Sequence, residues 1–442
     1  MNPRRHLLEG SLIPCAEIGG PLSRRGLIGG FVKAALGVTL FDRLSGELAA
    51  AEAARKPGDT KGGVNLIILS MRGAMSHLDT FDPKPDAAGQ GETKAIQTKT
   101  PGVFFGEHLP TLAALSDRLA VVRSMTTETG AHEQGTYLMR TSYQEIASIR
   151  HPSLGSWAVQ AAGRRSRDLP GFVLVGNGNE HPGCGFLDPS LTPVPVADPD
   201  KGLENIRRPR YLSEKNFERR LALADRIDRD FRRRFAGPQV EAYDRMYEDA
   251  VRLLGSEDLA AFDISQEPET VKARYGDTTF ARGCLLARRL VESGVRCIEV
   301  ELGGWDMHRE IFEDLPEKAA DLDRGMGALI KDLEERGLLA STLVVLATEF
   351  GRTPAINENA GRDHHPAVFS CVLAGAGVKG GIVHGASDPQ GRLPDRDAVS
   401  VADFNTTIAA ASGLPYEQEF EAPNGRPFKI GGGGKPIAAV LA

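Results

Sequence analysis

From residue 64 onward, short apolar runs alternate with longer amphipathic stretches. The runs 64–70, 120–124, 172–175, 296–302, 343–347 and 367–373 are four to seven residues long and read as strands, 172–175 and 343–347 apolar throughout and 296–302 interrupted by Arg296, Glu299 and Glu301. Stretches 109–119, 151–163, 278–293, 315–335 and 401–412, and one beginning at Thr136, carry apolar residues at helical spacing. Gly294 and Gly337 close two of them. Alternating strand and helix predict an α/β fold, with a largely parallel central sheet flanked by helices and joined by right-handed crossovers. Residues 86–107 read as a polar excursion ending in an edge strand, and 177–200 as a Pro/Gly-rich loop. The tail from 380 holds a hairpin and one helix.

Residues 213–262 are helical but highly charged. Arg232, Arg233 and Arg234 sit among Asp225, Asp228 and Asp230, so this segment reads as a solvated helix face within an inserted helical subdomain or lid. The N-terminus differs. Ser23-Arg24-Arg25 precedes a moderately apolar, Gly/Ala-rich stretch, 26–40, and the Ala-rich 49–54 offers small-residue cleavage sites. This resembles a bacterial twin-arginine (Tat) export leader, which predicts delivery to the periplasm or cell envelope. No later stretch reaches 18 apolar residues, so no other membrane span is expected. The expected division is a leader and linker at 1–55, one α/β domain at 60–425 with the helical insertion, and a C-terminal tail at 426–442.

Composition narrows the function. With 53 basic against 59 acidic residues, the net charge of −6 gives no electrostatic case for nucleic acid. The five cysteines show no CxxC spacing, which argues against a thiolate zinc site and leaves disulfide pairing open.

The chemistry gathers after the strands. Open α/β sheets bind ligands beyond the carboxyl ends of their strands. Three polar loops lie there, at 70–82, 303–308 and 348–365. They supply Asp79, Asp306, His308, Glu349, Asp363 and His364, with His365 beside them. Carboxylates and imidazoles are the ligand set of zinc, manganese or iron. The expected cofactor is a divalent metal, zinc first, with manganese or calcium as alternatives. A fourth loop, 125–135, follows the strand at 120–124 and carries Thr129 and His132. Ahead of a helix, its free backbone N–H groups suit an anion. Arg72, Arg352 and Arg362 are candidate anion holders.

Four motifs occur in order: Ser76-His77-Leu78-Asp79-Thr80-Phe81-Asp82-Pro83-Lys84-Pro85, Gly303-Gly304-Trp305-Asp306-Met307-His308, Thr348-Glu349-Phe350-Gly351-Arg352-Thr353-Pro354 and Gly361-Arg362-Asp363-His364-His365-Pro366. Together they resemble the DUF1501 family, over about residues 20–420. That family in turn resembles the alkaline phosphatase/sulfatase superfamily. The resemblance implies an alkaline phosphatase-like fold and a one- or two-metal site. It also implies a metal-dependent hydrolase of a phosphate or sulfate ester, its substrate an anionic small molecule or polysaccharide. Asp306 and His308 would match the superfamily's Asp-x-x-x-His with altered spacing. Glu349-Phe350-Gly351 would match its Asp-His-Gly, with phenylalanine for a ligand histidine. Its nucleophile would fall near 129–132, which makes Thr129 and His132 the catalytic candidates beside Arg352. No nucleophile signature stands there, so a non-catalytic exported protein retaining the fold is the alternative. A serine hydrolase using Ser76 or Ser124 lacks the G-x-S-x-G turn.

Overall fold

The computed structural model describes residues 63–178, 180–204, 211–235 and 237–442. The expected leader lies outside them. A nine-stranded sheet forms the centre, built from β1 (Asn65–Met71), β2 (Leu119–Thr126), β3 (Phe172–Val175), β4 (Val194–Val196), β5 (Cys297–Leu302), β6 (Thr342–Thr348), β7 (Phe369–Gly375), β8 (Ile382–His384) and β9 (Val399–Ser400). Their order across the sheet is β8-β2-β7-β6-β1-β5-β3-β4, with β9 pairing the far end of β2. All pairings are parallel except those of β7, which runs antiparallel to β6 and β2. The fold class is therefore the expected one, a largely parallel sheet flanked by helices.

Each central strand feeds two cores, because successive side chains point to opposite faces. In β1, Ile67, Leu69 and Met71 join the core under the helices Thr279–Glu292 and Ile311–Glu335. Leu66 joins the core under Leu154–Ala162 and Val401–Ala411. The closing segment also packs there, with Ile430, Ile437 and Val440 buried.

Several expectations change. The edge strand near 104 is not at the sheet edge; Phe104–Gly106 pairs with Ala95–Gln97 in a separate hairpin. The loop expected at 351–361 is mostly hairpin, Gly351–Ile356 against Arg362–His365, with His364 opposite Arg352. Asn357 turns the chain there, its side-chain oxygen accepting from the Asn359 and Gly361 amides, which frees the flanking residues to pair. The charged stretch forms two helices, Glu214–Arg234 and Pro238–Leu254. The four cysteines among the described residues are all free thiols.

The loop after β1 contains a pH-sensitive anchor. His77 is fully buried and its Nε2 lies 2.9 Å from the Gly391 carbonyl. Burial holds the imidazole down to about 4, against the pull of Asp82. A folded-state value below the ordinary 6.5 means the unfolded chain binds the extra proton. The His77 contribution is thus complete above about pH 6.5 and is lost as the pH falls toward 4. By linkage it is on the order of 3 kcal/mol. Urea midpoints of the parent chain and of His77→Gln, measured between pH 7 and 4.5, should show a flatter slope for the variant. Equal slopes would contradict this assignment.

Candidate functional site

Three strands deliver the site to one sheet edge. β1 leads into Arg72 and Gly73, β5 into Asp306 and His308, and β6 into Glu349. His364 precedes β7, and a residue ahead of a parallel strand would emerge at the opposite edge. The reversal of β7 brings His364 round to Asp306. Gly73 (φ 108°) lets the β1 loop press on the β5 loop, since a Cβ there would lie 2.5 Å from the Asp306 backbone nitrogen.

His132 opens the helix His132–Thr141. The far end of that helix is pinned to β5 by Arg140, whose Nη2 donates to Glu299 at 2.5 Å and to Glu301 at 2.6 Å. Burial pushes the Glu299 carboxyl up, but Arg140 and His181 outweigh it and hold it well below the usual carboxylate range. The helix is therefore fixed at both ends.

The partners of the three imidazoles decide their tautomers. Nδ1 of His132 lies 2.9 Å from Glu349 Oε1, Nδ1 of His364 lies 2.6 Å from the Gly130 carbonyl, and Nδ1 of His308 lies 3.0 Å from Asp363 Oδ1. Carboxylate and carbonyl oxygens only accept, so each Nδ1–H donates and each neutral ring keeps its lone pair on Nε2. Those three Nε2 atoms surround a single oxygen, Asp306 Oδ1, at 3.3 Å for His132, 3.0 Å for His308 and 3.2 Å for His364. Nε2 of His308 and Nε2 of His364 are 3.0 Å apart. Lone pairs this close repel unless protons or a cation stand between them. His132 Nε2 is buried and has no hydrogen-bond partner. Ligating histidines have this arrangement, the outer N–H held by a carboxylate or carbonyl and the inner nitrogen bare. His132, Asp306 and His364 each offer a ligand atom, all within 4.8 Å of one another. Two imidazoles and a carboxylate match a three-ligand catalytic zinc site, so the residues fit a divalent metal. Asp306 is 47% exposed and His364 29%, which leaves the group open to a ligand from solvent.

Charge supports the same group. The Glu349 hydrogen bond raises the His132 pKa, against the burial that lowers it. Burial pushes the Asp306 carboxyl up, but the hydrogen bond and charge of Arg352, joined by His364 and His132, hold it well below the usual carboxylate range. Asp363 is lowered by its Asn357 and His308 hydrogen bonds.

The other expected residues take different places. Glu349 is buried behind His132, its Oε1 also accepting from the Gly73 amide at 2.9 Å. Asp363 stands behind His308 in the same way. Asp79 is outside the group. It is fully buried in a two-point pair with Arg362, at 2.7 and 3.2 Å, and accepts from Ser76. Thr129 caps the turn before the helix, accepting from the Ala131 amide and donating to Gln134, so its hydroxyl does not face the cluster. Arg352 is fully buried. Its Nε and Nη groups donate to the Ala74, Gly73 and Arg362 carbonyls and to Asp306, and Nη1 lies 3.3 Å from His308 Nε2. A guanidinium carries five N–H donors, so none is left to grip an incoming anion, and Arg352 positions Asp306 instead. His365 turns away to the Arg392 carbonyl. Sequence reasoning missed Phe350 as a wall of the site. Its buried ring lies 5.1 Å from the His132 ring and 4.9 Å from the His364 ring.

A family model described as "Protein of unknown function (DUF1501)" matches residues 64–441. Similar solved structures include a sulfatase from Pseudoalteromonas sp., at 12% identity and TM-score 0.37, covering 86% of this chain and 74% of that one. A lipoteichoic acid synthase from Listeria monocytogenes is similar at 10% identity and TM-score 0.38, with 91% and 82% covered. A 2-O glycosaminoglycan sulfatase is similar at 11% identity and TM-score 0.34, with 80% and 71% covered. At such scores these likenesses carry no argument about chemistry. No curated protein matches the chain.

Proposed function

This chain belongs to the DUF1501 family, and from that premise and the sheet-edge geometry we propose that it is a metal-dependent hydrolase of an anionic ester, phosphate or sulfate. The observation that carries the proposal is the pair of imidazole nitrogens, His132 Nε2 and His364 Nε2, set around Asp306 Oδ1, each ring fixed from behind through its Nδ1–H. His132, Asp306 and His364 would hold the ion. A divalent metal bound there supplies Lewis-acid polarisation of the ester and a water of lowered pKa.

The chain's own groups account for the rest. Arg352 and Glu349 hold Asp306 and His132 in place. Arg72, at the end of β1, pairs with Glu180 through Nη2 and with Glu301 through its buried Nη1, and by exchanging the exposed Glu180 for the ester's anionic oxygens it would orient them in place of Arg352. The first-turn amides of His132–Thr141, which has no side-chain cap, offer further donors to that anion. His308 lies at the rim with Asp363 behind it, and is placed to take a proton from an attacking water or give one to the leaving oxygen.

A panel of aryl phosphate, phosphodiester and aryl sulfate substrates, assayed with zinc, manganese and calcium, tests this reading. Chelation and His364→Ala should each abolish the turnover. His308→Asn should keep the metal and lose about a hundredfold or more in kcat. Full turnover in His308→Asn would remove it from the mechanism. One observation favours a non-catalytic binding protein instead: the Thr129 hydroxyl is used in its turn, which leaves water as the attacking group. Stoichiometric metal with no turnover across the panel would decide for that reading.

A further inference from the structure

The helix Glu214–Arg234 leaves an apolar stripe in solvent. Leu223, Ile227 and Phe231 are exposed, Ile227 by 52%, and Phe235, just past the helix end, is 56% exposed. Four-residue steps turn a helix by roughly 40°, so these side chains form one continuous arc. Phe235 extends it by stacking on Phe231, with ring centroids 4.7 Å apart. Tyr211, 83% exposed, lies just before the helix. Of the nine exposed large hydrophobic residues among those described, five fall between 211 and 235.

The charges around the arc are ordered. Arg219, Arg226 and Arg233 are seven residues apart and all exposed, so they form a row along one border of the stripe. Asp225 and Asp228 fall on the far side of the helix, where Asp225 pairs with Arg229 at 2.8 Å. Between 214 and 235 there are eight basic and five acidic residues, against an acidic excess over the whole chain. No helix among the described residues is long and apolar enough to cross a membrane. An apolar arc bordered by a row of arginines, on a helix with basic residues in excess, is the pattern of a helix lying in a membrane interface.

We propose that Glu214–Arg234 docks this protein onto an anionic lipid surface, burying Leu223, Ile227 and Phe231 among the acyl chains while Arg219, Arg226 and Arg233 meet lipid phosphates. The charge selects this occupant. A second copy would present the same basic face, setting like charge against like, whereas anionic headgroups complement it. The inference stands apart from the sheet-edge chemistry.

Flotation of the full chain with lipid vesicles tests it. The parent should float with vesicles of phosphatidylcholine mixed with phosphatidylglycerol and release as salt rises. It should bind pure phosphatidylcholine far less. Both Ile227→Asp/Phe231→Asp and Arg219→Gln/Arg226→Gln/Arg233→Gln should bind the mixed vesicles roughly tenfold or more weakly, with unchanged thermal midpoints showing that each variant is folded. The proposal is overturned if the parent does not float, or if both variants float like the parent. It is also overturned if the parent is a dimer that the apolar variant alone dissociates, since the stripe would then belong to a second copy.

Discussion

Replacing Arg362 by methionine should cost about 3–5 kcal/mol of folding stability, the size expected when one partner of a buried pair is removed. Both members of the Asp79–Arg362 pair are fully buried, and the guanidinium also donates to the carbonyls of Gln90, Thr353 and Pro354. It ties the β1 loop to the 351–365 hairpin. Without it, Asp79 is left fully buried with no neutralising partner, while three backbone carbonyls lose a donor. The double replacement Asp79→Leu/Arg362→Met should recover part of the loss, because no unpaired charge remains. Urea unfolding of the single and double variants is the measurement. A loss under about 1 kcal/mol for Arg362→Met would show that the pair is solvated and structurally minor. Asp79→Asn should likewise lower stability without changing metal affinity per folded molecule, which separates its role from that of a ligand.

The second large effect concerns the ligands. His364→Ala should weaken divalent metal binding by on the order of a hundredfold or more, beyond what loss of an orienting partner costs. The imidazole is aimed by the Gly130 carbonyl and walled by Phe350, while the neighbouring His308 is held from behind by Asp363 and its Nε2 lies 3.3 Å from Arg352 Nη1. Glu349→Gln should cost less, about 10–100-fold, because an amide oxygen can still accept from His132 Nδ1–H while the charge is lost. Calorimetric titration with zinc measures both. If the two variants bound zinc equally tightly, the ranking of ligand over orienting residue would fail. Metal bound only by the folded state should also raise the thermal midpoint of the parent, and should raise that of His364→Ala much less.

Much of the scaffold was legible because buried strands write themselves as short apolar runs. β1, β5 and β6 could be read to within a residue or two. The hairpin at 351–365 could not, because its pairing depends on the Asn357 turn and on contact with His308, not on alternation. The direction of β7 was equally hidden. A seven-residue, mostly apolar run looks the same in either orientation, yet the reversal is what carries His364 to Asp306. Candidate residue types were legible and their ranks were not. Asp79, Glu349, Asp363 and Asp306 are all acids after strands, but which one faces the imidazoles depends on tertiary partners: Arg362 takes Asp79, and His132 and His308 draw Glu349 and Asp363 behind them. Arg352 fits a bidentate anion grip by type alone, and only the surrounding carbonyls show that its donors are used.

The central claim is that His132, Asp306 and His364 hold one divalent ion at this sheet edge. Anomalous diffraction at the zinc edge, from crystals grown with the metal, tests it most directly. The account predicts a single strong peak at about 2.0–2.2 Å from the two imidazole Nε2 atoms and an Asp306 oxygen. Zinc bound elsewhere in the molecule, with the three side chains packed against one another and no peak between them, would contradict it.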